Sequence, residues 1–327
     1  MKAATPQELE SSFKQISSQY DVFAPIRMHD GSRSLGRLDE GPLALMGGRI
    51  FTKTTSVFFP QQECILTQEG SGVAMQQPVG KPLLVVGFTA EDADCLAFID
   101  KFYSENFRDS IYFNKRDGSV VVVVSGRCGK DGAFQKIAGR NCDLELAYDG
   151  DRFLVIPYSA AGVAVGDAIK AKGSANTLAE LKAQSESLDD QDQKIIEKAS
   201  DLLVAEKVPE EFWRDISKRC IACTACNLSC PTCTCFDVFD WQSDNKVKRL
   251  RIWDSCQLDG FMREASGHNP MGTESLRTRR RIHHKLAADR TRWGHITCFL
   301  CGRCDDVCPT GIGIKSVARE MVKRYGQ

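Results

Sequence analysis

The sequence predicts an α+β protein in three parts, and three observations lead to that prediction. In residues 1–165, short apolar strands alternate with a helical stretch, which indicates a mixed α/β domain. Residues 166–218 are mostly helix formers with few turn signals, so we expect a helical connector. Eleven of the 15 cysteines lie between Cys220 and Cys308, which indicates a metal-binding domain over residues 219–327.

Charge balance, hydropathy and cysteine count exclude several classes of protein. The 327 residues carry 43 basic and 43 acidic side chains, and this balance argues against a general binder of nucleic acids or anionic membranes. There is no apolar run long enough to predict a membrane span, and residues 1–20 lack the apolar core of a signal peptide. We therefore expect a cytoplasmic protein. An odd number of cysteines without an export signal argues against a disulfide framework.

Local patterns predict the elements of the first domain. Thr5, Pro6 and Glu8 form a capping-box pattern, which predicts a helix from Pro6 to about Ser18. Residues 82–88, 120–125 and 153–157 are apolar runs bounded by turn signals and predict buried strands. The apolar spacing in residues 91–103 predicts a helix between the first two of these strands.

Two cysteine blocks in the last third of the chain share the spacing C-x2-C-x2-C-x3-C-P. Bacterial two-cluster ferredoxins have this spacing, and in them the fourth cysteine of each block binds the other cluster. The pattern predicts a ferredoxin-like domain with two 4Fe–4S clusters. We expect the ligands of one cluster to be Cys220, Cys223, Cys226 and Cys308, and those of the other to be Cys298, Cys301, Cys304 and Cys230.

The chemistry of these blocks favours iron–sulfur clusters over zinc. A structural zinc protein is the alternative, but zinc sites normally use paired C-x2-C hooks without this third and fourth cysteine. Small residues inside the blocks would let backbone N–H groups approach the cluster sulfurs and raise the reduction potential; they are Ala222, Thr224, Ala225 and Gly302. We expect one-electron transfer and no acid, base or nucleophile in this chain.

A long insert of 67 residues, 231–297, separates the two blocks and holds Cys233, Cys235 and Cys256. These three cysteines indicate either a further iron–sulfur or metal site, with His268 as a fourth ligand, or buried thiols that pack beside the clusters and tune them as weak donors. The neighbouring His283 and His284 are expected to be surface residues rather than ligands.

The insert is also basic, with 12 Lys and Arg against 8 Asp and Glu. Its densest part holds Arg277, Arg279, Arg280, Arg281 and Lys285. This run lacks the interleaved aromatic residues of a nucleic-acid site. It therefore indicates either a docking surface for an acidic partner or compensation for negatively charged clusters.

The residues from about Lys218 onward resemble the β subunits of cytosolic sulfhydrogenases and the related A subunits of anaerobic sulfite reductases, which are 4Fe–4S dicluster proteins. The likeness is carried by C-x-A-C-x-x-C-x-x-x-C-P-T-C-x-C, R-x-W-D-S-C-Q, G-H-N and C-x-x-C-G-R-C-x-x-x-C-P. A weaker likeness extends through residues 85–88, 92–97 and 149–155.

The resemblance implies an electron-transfer subunit of a soluble multi-subunit redox complex. FAD and NAD(P) would lie on a flavin-bearing reductase subunit, and the terminal subunit would be a small and large nickel–iron hydrogenase pair. The equivalent subunit of an anaerobic sulfite reductase or a heterodisulfide-reductase-linked complex is the alternative. The sequence agrees with nucleotide sites on partners, because it has no G-x-G-x-x-G after a strand and no Walker loop.

The first domain departs from the relatives in one respect. They carry four cysteines there that could hold a further cluster. Cys95 and Cys128 match the first two, whereas residues 133–135 replace the expected C-F-C pair and Cys142 lies outside the register. These positions indicate either a third cluster that uses Cys95 and Cys128 or ordinary buried thiols.

Overall fold

The computed structural model describes residues 1–75 and 80–326, which form two compact units. Unit 1 comprises Met1–Phe59 and residues 80–188, and unit 2 comprises Pro60–Met75 and residues 189–326. Residues 60–75 therefore belong to the same unit as the cysteine blocks. The predicted division at residues 165 and 218 stays a prediction about domain organisation. Among the described residues, no helix is both long and apolar enough to cross a membrane.

The described part of the chain contains runs of strands and runs of helices. In chain order they are β1 (Lys2–Ala4), α1 (Pro6–Ile16), β2 (Asp21–Arg27), β3 (Arg33–Arg37), β4 (Gln62–Glu69), β5 (Gly72–Met75), β6 (Leu83–Phe88), α2 (Ala90–Ser104), α3 (Ser110–Arg116), β7 (Val120–Gly126), β8 (Leu144–Tyr148), β9 (Phe153–Pro157), α4 (Ala160–Ala168), β10 (Gly173–Ser174), α5 (Leu178–Glu186), α6 (Gln191–Val204), α7 (Glu210–Ser217), α8 (Ala225–Leu228), β11 (Phe236–Ser243), β12 (Lys246–Trp253), α9 (Glu274–His283), α10 (Asp289–Trp293), α11 (Arg303–Asp306) and α12 (Ile314–Tyr325).

Unit 1 is built on a sheet of eight strands in the order β10-β1-β9-β8-β7-β6-β2-β3. The centre of the sheet is parallel, because β6 pairs in parallel with β2 and β7, and β7 with β8. Every residue of β7 is buried, as expected for a strand covered on both faces of a parallel sheet. The predicted mixed α/β character of this region is confirmed.

Several predicted elements of unit 1 are confirmed. The capping box at the start of α1 is formed, since Thr5 accepts a hydrogen bond from the Glu8 N–H and the Glu8 side chain accepts one from the Thr5 N–H. The helix ends at Ile16, two residues before the predicted end. The three predicted strands correspond to β6, β7 and β9, and the predicted helix between the first two corresponds to α2.

Unit 2 has a helical core against which the cysteine blocks pack. Residues of α6, α7, α9 and α12 form this core, and Trp213 is fully buried in it. Cys304 belongs to the same apolar cluster, and further block cysteines pack against it: Cys220, Cys226, Cys298 and Cys308. The apolar side chains of the predicted connector therefore help to form the support of the cysteine blocks.

An antiparallel sheet of four strands, in the order β11-β12-β4-β5, completes unit 2. The strand β4 comes from residues 60–75 and pairs with β12 of the insert. A buried ion pair joins these two strands, because Arg251 Nη2 lies 2.5 Å from Glu63 Oε1 and both side chains are under a tenth exposed. Pairing between distant segments builds this sheet, so local sequence patterns gave little sign of it.

A π-helical turn at His284–Ala288 connects α9 to α10 and makes residues 274–293 one continuous helical stretch. The turn frees backbone carbonyls that other parts of unit 2 then satisfy. The carbonyl of Lys285 accepts a hydrogen bond from the N–H of Thr297 at 3.1 Å, and that of Leu286 accepts one from the hydroxyl of Ser200. Through its Lys285 carbonyl, the π turn thus positions Thr297, the residue immediately before Cys298.

Candidate metal centres

The two cysteine blocks fold into loops with the same backbone conformation. In the first block Ala222 and Thr224 adopt left-handed conformations, with φ of 52° and 62°. The corresponding residues of the second block, Leu300 and Gly302, have φ of 59° and 77°. Left-handed conformations are unfavourable for residues with a Cβ, and they turn successive N–H groups into a concavity that suits anions. Both loops therefore hold a strained form that suits an iron–sulfur site.

The first predicted ligand set surrounds a single cavity. Cys220, Cys223, Cys226 and Cys308 all line it, although Cys308 lies far from the others in sequence. Gln257, Thr278 and Arg281 also contribute to the wall. The Cys223 side chain is exposed, whereas Cys220, Cys226 and Cys308 are half-buried. This arrangement brings together the four thiols that the crossed ferredoxin pattern assigns to one cluster.

The second predicted set also converges. Cys298 has Cys301 and Cys230 as electrostatic neighbours, and Cys304 has Cys298 and Cys230. A hydrogen bond connects the end of the first block to the start of the second. The hydroxyl of Thr232, two residues after Cys230, donates to the carbonyl of Thr297, which directly precedes Cys298, at 3.1 Å. The fourth cysteine of the first block therefore lies near Cys298 and Cys304 of the second block, and Cys301 lies near Cys298. This grouping is compatible with the predicted second ligand set, which stays a prediction.

Backbone N–H groups point at the cysteine sulfurs. The N–H of Ile312 donates to Cys308 Sγ at 3.3 Å, and that of Ile314 donates to Cys304 Sγ at 3.5 Å. Burial alone would raise the pKa of Cys308, but hydrogen bonds from the Thr310 hydroxyl and from backbone N–H groups hold this pKa below its usual value. Such donors stabilise negative charge on sulfur and are typical of metal-bound thiolates.

Burial has the opposite effect on several other block thiols. It raises the pKa of Cys226 to about 11 and that of Cys298 to about 12. Without a metal these thiols would keep their protons at neutral pH, because their pKa values lie well above 7. Cluster assembly must therefore release protons from them, which couples metal binding to pH.

Two buried cations face the cysteines. Arg281 has Cys226, Cys304 and Cys230 as electrostatic neighbours, and Lys285 has Cys230 and Cys298. Both side chains are less than a tenth exposed. Buried positive charge needs nearby negative charge, and clusters with thiolate ligands would supply it. The donor set, the loop conformation and these cations all fit two 4Fe–4S clusters.

The three insert cysteines lie together. The Cys235 thiol is within hydrogen-bonding distance of the sulfur atoms of both Cys233 and Cys256. The Asn227 amide donates to Cys256 Sγ at 3.2 Å, and the hydrogen bonds from Cys235 and Asn227 lower the pKa of Cys256. The hairpin of β11 and β12 explains this arrangement, since Cys235 immediately precedes β11 and Cys256 follows shortly after β12.

The histidines take no part in this group. His268 is exposed; its backbone N–H donates to the Ser266 hydroxyl and its carbonyl accepts from the Glu264 N–H. His283 and His284 are half-buried rather than fully exposed, and His284 pairs with Asp289 at 3.1 Å. Within residues 1–75 and 80–326, no set of three or more His, Cys, Asp or Glu side chains is arranged to hold a single metal ion.

The remaining cysteines are scattered. In unit 1, Cys95 lies in α2 and Cys128 follows β7, both almost fully buried. Cys128 donates to the Ser125 carbonyl, and burial raises its pKa to about 12. Burial also raises the pKa of Cys142 to about 12. A third cluster at Cys95 and Cys128 stays a prediction. Cys64 is half-buried in β4 of unit 2.

Comparisons with known proteins agree with this geometry. Residues 219–312 match the family model of the 4Fe–4S dicluster domain. Over 330 aligned residues, which cover 94% of each chain, the sequence is 26% identical to sulfhydrogenase 2 subunit beta of Pyrococcus furiosus. No solved structure matches the chain. The two matches support the family that the sequence motifs indicated.

Proposed function

We propose that this chain, a relative of the sulfhydrogenase β subunits with a 4Fe–4S dicluster domain, carries single electrons between other subunits of a redox complex. The observation that supports this most strongly is the crossed grouping of the eight block cysteines. Cys308 joins the first block around one cavity, and Cys230 joins the second block. This arrangement is typical of two neighbouring clusters that exchange electrons.

Each ligand set holds one cluster in this proposal. Cys220, Cys223, Cys226 and Cys308 hold the first cluster, and Cys298, Cys301, Cys304 and Cys230 hold the second. The clusters supply one-electron redox chemistry when they are bound. The protein residues fix the thiolates, donate N–H groups to sulfur and limit the access of water to the second set. A rigid ligand frame keeps structural change during electron transfer small.

The first cluster would exchange electrons with a partner at the surface. Cys223 is exposed, and the neighbouring Ile221 is 63% exposed, which is high for an apolar side chain. An apolar surface beside a cluster suits transient docking of a redox protein. We expect an FAD- and NAD(P)-binding reductase subunit and a nickel–iron hydrogenase pair as partners in the cytoplasm. An anaerobic sulfite reductase or a heterodisulfide-reductase-linked complex remains the alternative assembly.

Purification of the native complex under anaerobic conditions tests this proposal. We expect flavoprotein and hydrogenase subunits to co-purify with the chain and electrons to pass from the nucleotide to the terminal subunit. Cys223→Ala should remove the first cluster and Cys301→Ala the second, and each should abolish this transfer. Cys64→Ala is the matched control, because Cys64 lies in the same unit but outside both ligand sets.

Three outcomes would contradict the proposal. Normal transfer in Cys223→Ala or Cys301→Ala would show that the clusters are not on the electron path. Zinc without iron in anaerobic protein would support the structural zinc protein instead. Partners of the sulfite reductase type would preserve the electron-transfer role and replace the hydrogenase assignment.

A further inference from the structure

Three basic side chains form a buried stripe along the helical stretch that follows the insert hairpin. Arg277, Arg281 and Lys285 are spaced four residues apart, so they lie on one face, and each is 6–7% exposed. Arg277 is neutralised by ion pairs with Asp259 and Glu274, at 3.1 and 3.3 Å. The other two differ from it, because their surroundings are mainly thiols.

Arg281 has no carboxylate ion pair among the described residues. The hydrogen bond that the structure gives its guanidinium goes to the Ile312 carbonyl at 3.5 Å, which is long. Asp305 lies near Cys304, but it accepts hydrogen bonds from the N–H groups of Lys315 and Ser316 at the start of α12. A buried cation in this position is costly unless an anion is present.

The position of Arg281 relates it to both ligand sets. It lines the cavity of the first set, and Cys226 of that set is its first electrostatic neighbour among the cysteines. Its next neighbours, Cys304 and Cys230, belong to the second set. The positive charge of Arg281 therefore lies near thiols of both predicted ligand sets.

Lys285 is related to the second set alone. Its Nζ donates to the carbonyl of Thr232 at 3.2 Å and to the hydroxyl of Thr232 at 2.5 Å. Its main electrostatic neighbours among the block cysteines are Cys230 and Cys298, both of the second set. The π turn carries Lys285 to this position, and its carbonyl binds the residue before Cys298.

We propose that Arg281 and Lys285 tune the reduction potentials of the two clusters, with Arg281 raising both potentials and Lys285 raising that of the second cluster alone. The inference rests on the proposed function, since it requires both clusters. A cluster gains negative charge when it accepts an electron, so a nearby cation stabilises the reduced form and raises the potential. Low dielectric around buried groups strengthens this effect.

Redox titration followed by EPR, on anaerobically purified protein, tests the inference. Arg281→Met should shift both midpoint potentials to more negative values, and Lys285→Met should shift one. At a fixed potential we expect the ratio of reduced to oxidised cluster to fall on the order of tenfold, which is about 59 mV for a one-electron couple. Arg280→Met is the matched control, because Arg280 is exposed on the same helix, and it should shift neither potential.

Two further variants separate charge from packing. Arg281→Lys keeps the positive charge and should leave both potentials close to the wild-type values. Arg281→Gln loses the charge but keeps a donor for the Ile312 carbonyl, so it should behave as Arg281→Met does. If neither Arg281→Met nor Arg281→Gln loads iron, the Lys285→Met variant still tests the tuning role. A shift of one midpoint potential would support that role, and no shift of either potential would overturn it.

Iron content distinguishes failure of the tuning role from failure of the proposed electron-transfer function. Wild-type protein with two clusters, together with neutral variants that load both clusters at unchanged potentials, would overturn the tuning role and leave the proposed function intact. Wild-type protein without iron–sulfur clusters would overturn the proposed function itself. Equal shifts of both potentials in Lys285→Met would contradict the assignment of Lys285 to the second cluster.

Discussion

Replacing Glu63 with glutamine removes the negative charge that faces the buried Arg251 guanidinium. In the native protein Arg251 Nε and Nη2 donate to Glu63 Oε1 at 2.8 and 2.5 Å. The pair joins β4 to β12, and β12 leads to Cys256. The effect of Glu63→Gln should therefore appear in unit 2.

The burial of both side chains sets the size of this effect. The Arg251 and Glu63 side chains are 5% and 8% exposed, so little solvent screens the charge left behind. Breaking a buried ion pair from one side costs about 3–5 kcal/mol. With a urea dependence of about 2–3 kcal/mol per molar, the unfolding midpoint should fall by about 1–2.5 M.

Tryptophan fluorescence during anaerobic urea unfolding provides the assay, because all four tryptophans, Trp213, Trp241, Trp253 and Trp293, lie in unit 2. Glu69→Gln is the matched control: Glu69 pairs with Lys246 across the same two strands, at 3.5 Å with both side chains exposed. It should lower the stability by less than about 1 kcal/mol. Equal midpoints for Glu63→Gln and Glu69→Gln would refute the argument from burial.

Two further predictions concern the helical stretch of residues 274–293. Ser200→Ala removes the hydroxyl that donates to the buried carbonyl of Leu286, and it should destabilise unit 2 by about 1–3 kcal/mol in the same assay. An unchanged midpoint would mean that the π turn does not depend on this donor. Anaerobic removal of iron by a chelator should leave Arg281 buried without a compensating negative charge and Lys285 with Asp289 as its carboxylate neighbour, so hydrogen exchange should accelerate in residues 274–293 and stay slow in residues 83–88. Unchanged exchange in residues 274–293 would contradict the charge argument.

The parts of the fold that sequence could predict are those encoded locally. The capping box of α1, the valine run of β7 and the amphipathic helix α12 all follow from residues close together in sequence. The crossed assignment of the eight cysteines to two clusters, which stays a prediction, rests on a different kind of signal. Its spacing reflects the geometry of a cluster, and two identical copies of that spacing occur.

Other features depend on contacts between distant residues. The sequence did not predict that β4, in residues 60–75, pairs with β12. The two strands are about 180 residues apart, and buried and exposed side chains alternate only weakly along them. The insert forms the hairpin of β11 and β12 and a continuous helical stretch, which its cysteine spacing and charge did not predict. The left-handed backbone conformation of Leu300 was also not predictable, because leucine rarely adopts a positive φ.

The basic run of residues 277–285 contains both exposed and buried side chains. Composition could suggest either a docking surface or charge compensation, because it does not reveal which side chains are buried. The fold separates them: Arg280 is exposed, whereas Arg281 and Lys285 face the cysteines. The spacing of four residues between the buried members was the available signal, since it places them on one helix face.

The most direct test of the central claim is the content of iron and acid-labile sulfide per chain in anaerobically purified protein, together with EPR of the reduced state. Two cubane clusters predict about eight irons and about eight sulfides per chain, with two interacting spins. About twelve irons would indicate a further cluster and make Cys233, Cys235 and Cys256 the first positions to mutate. Zinc in place of iron would contradict the account of this chain as an electron carrier.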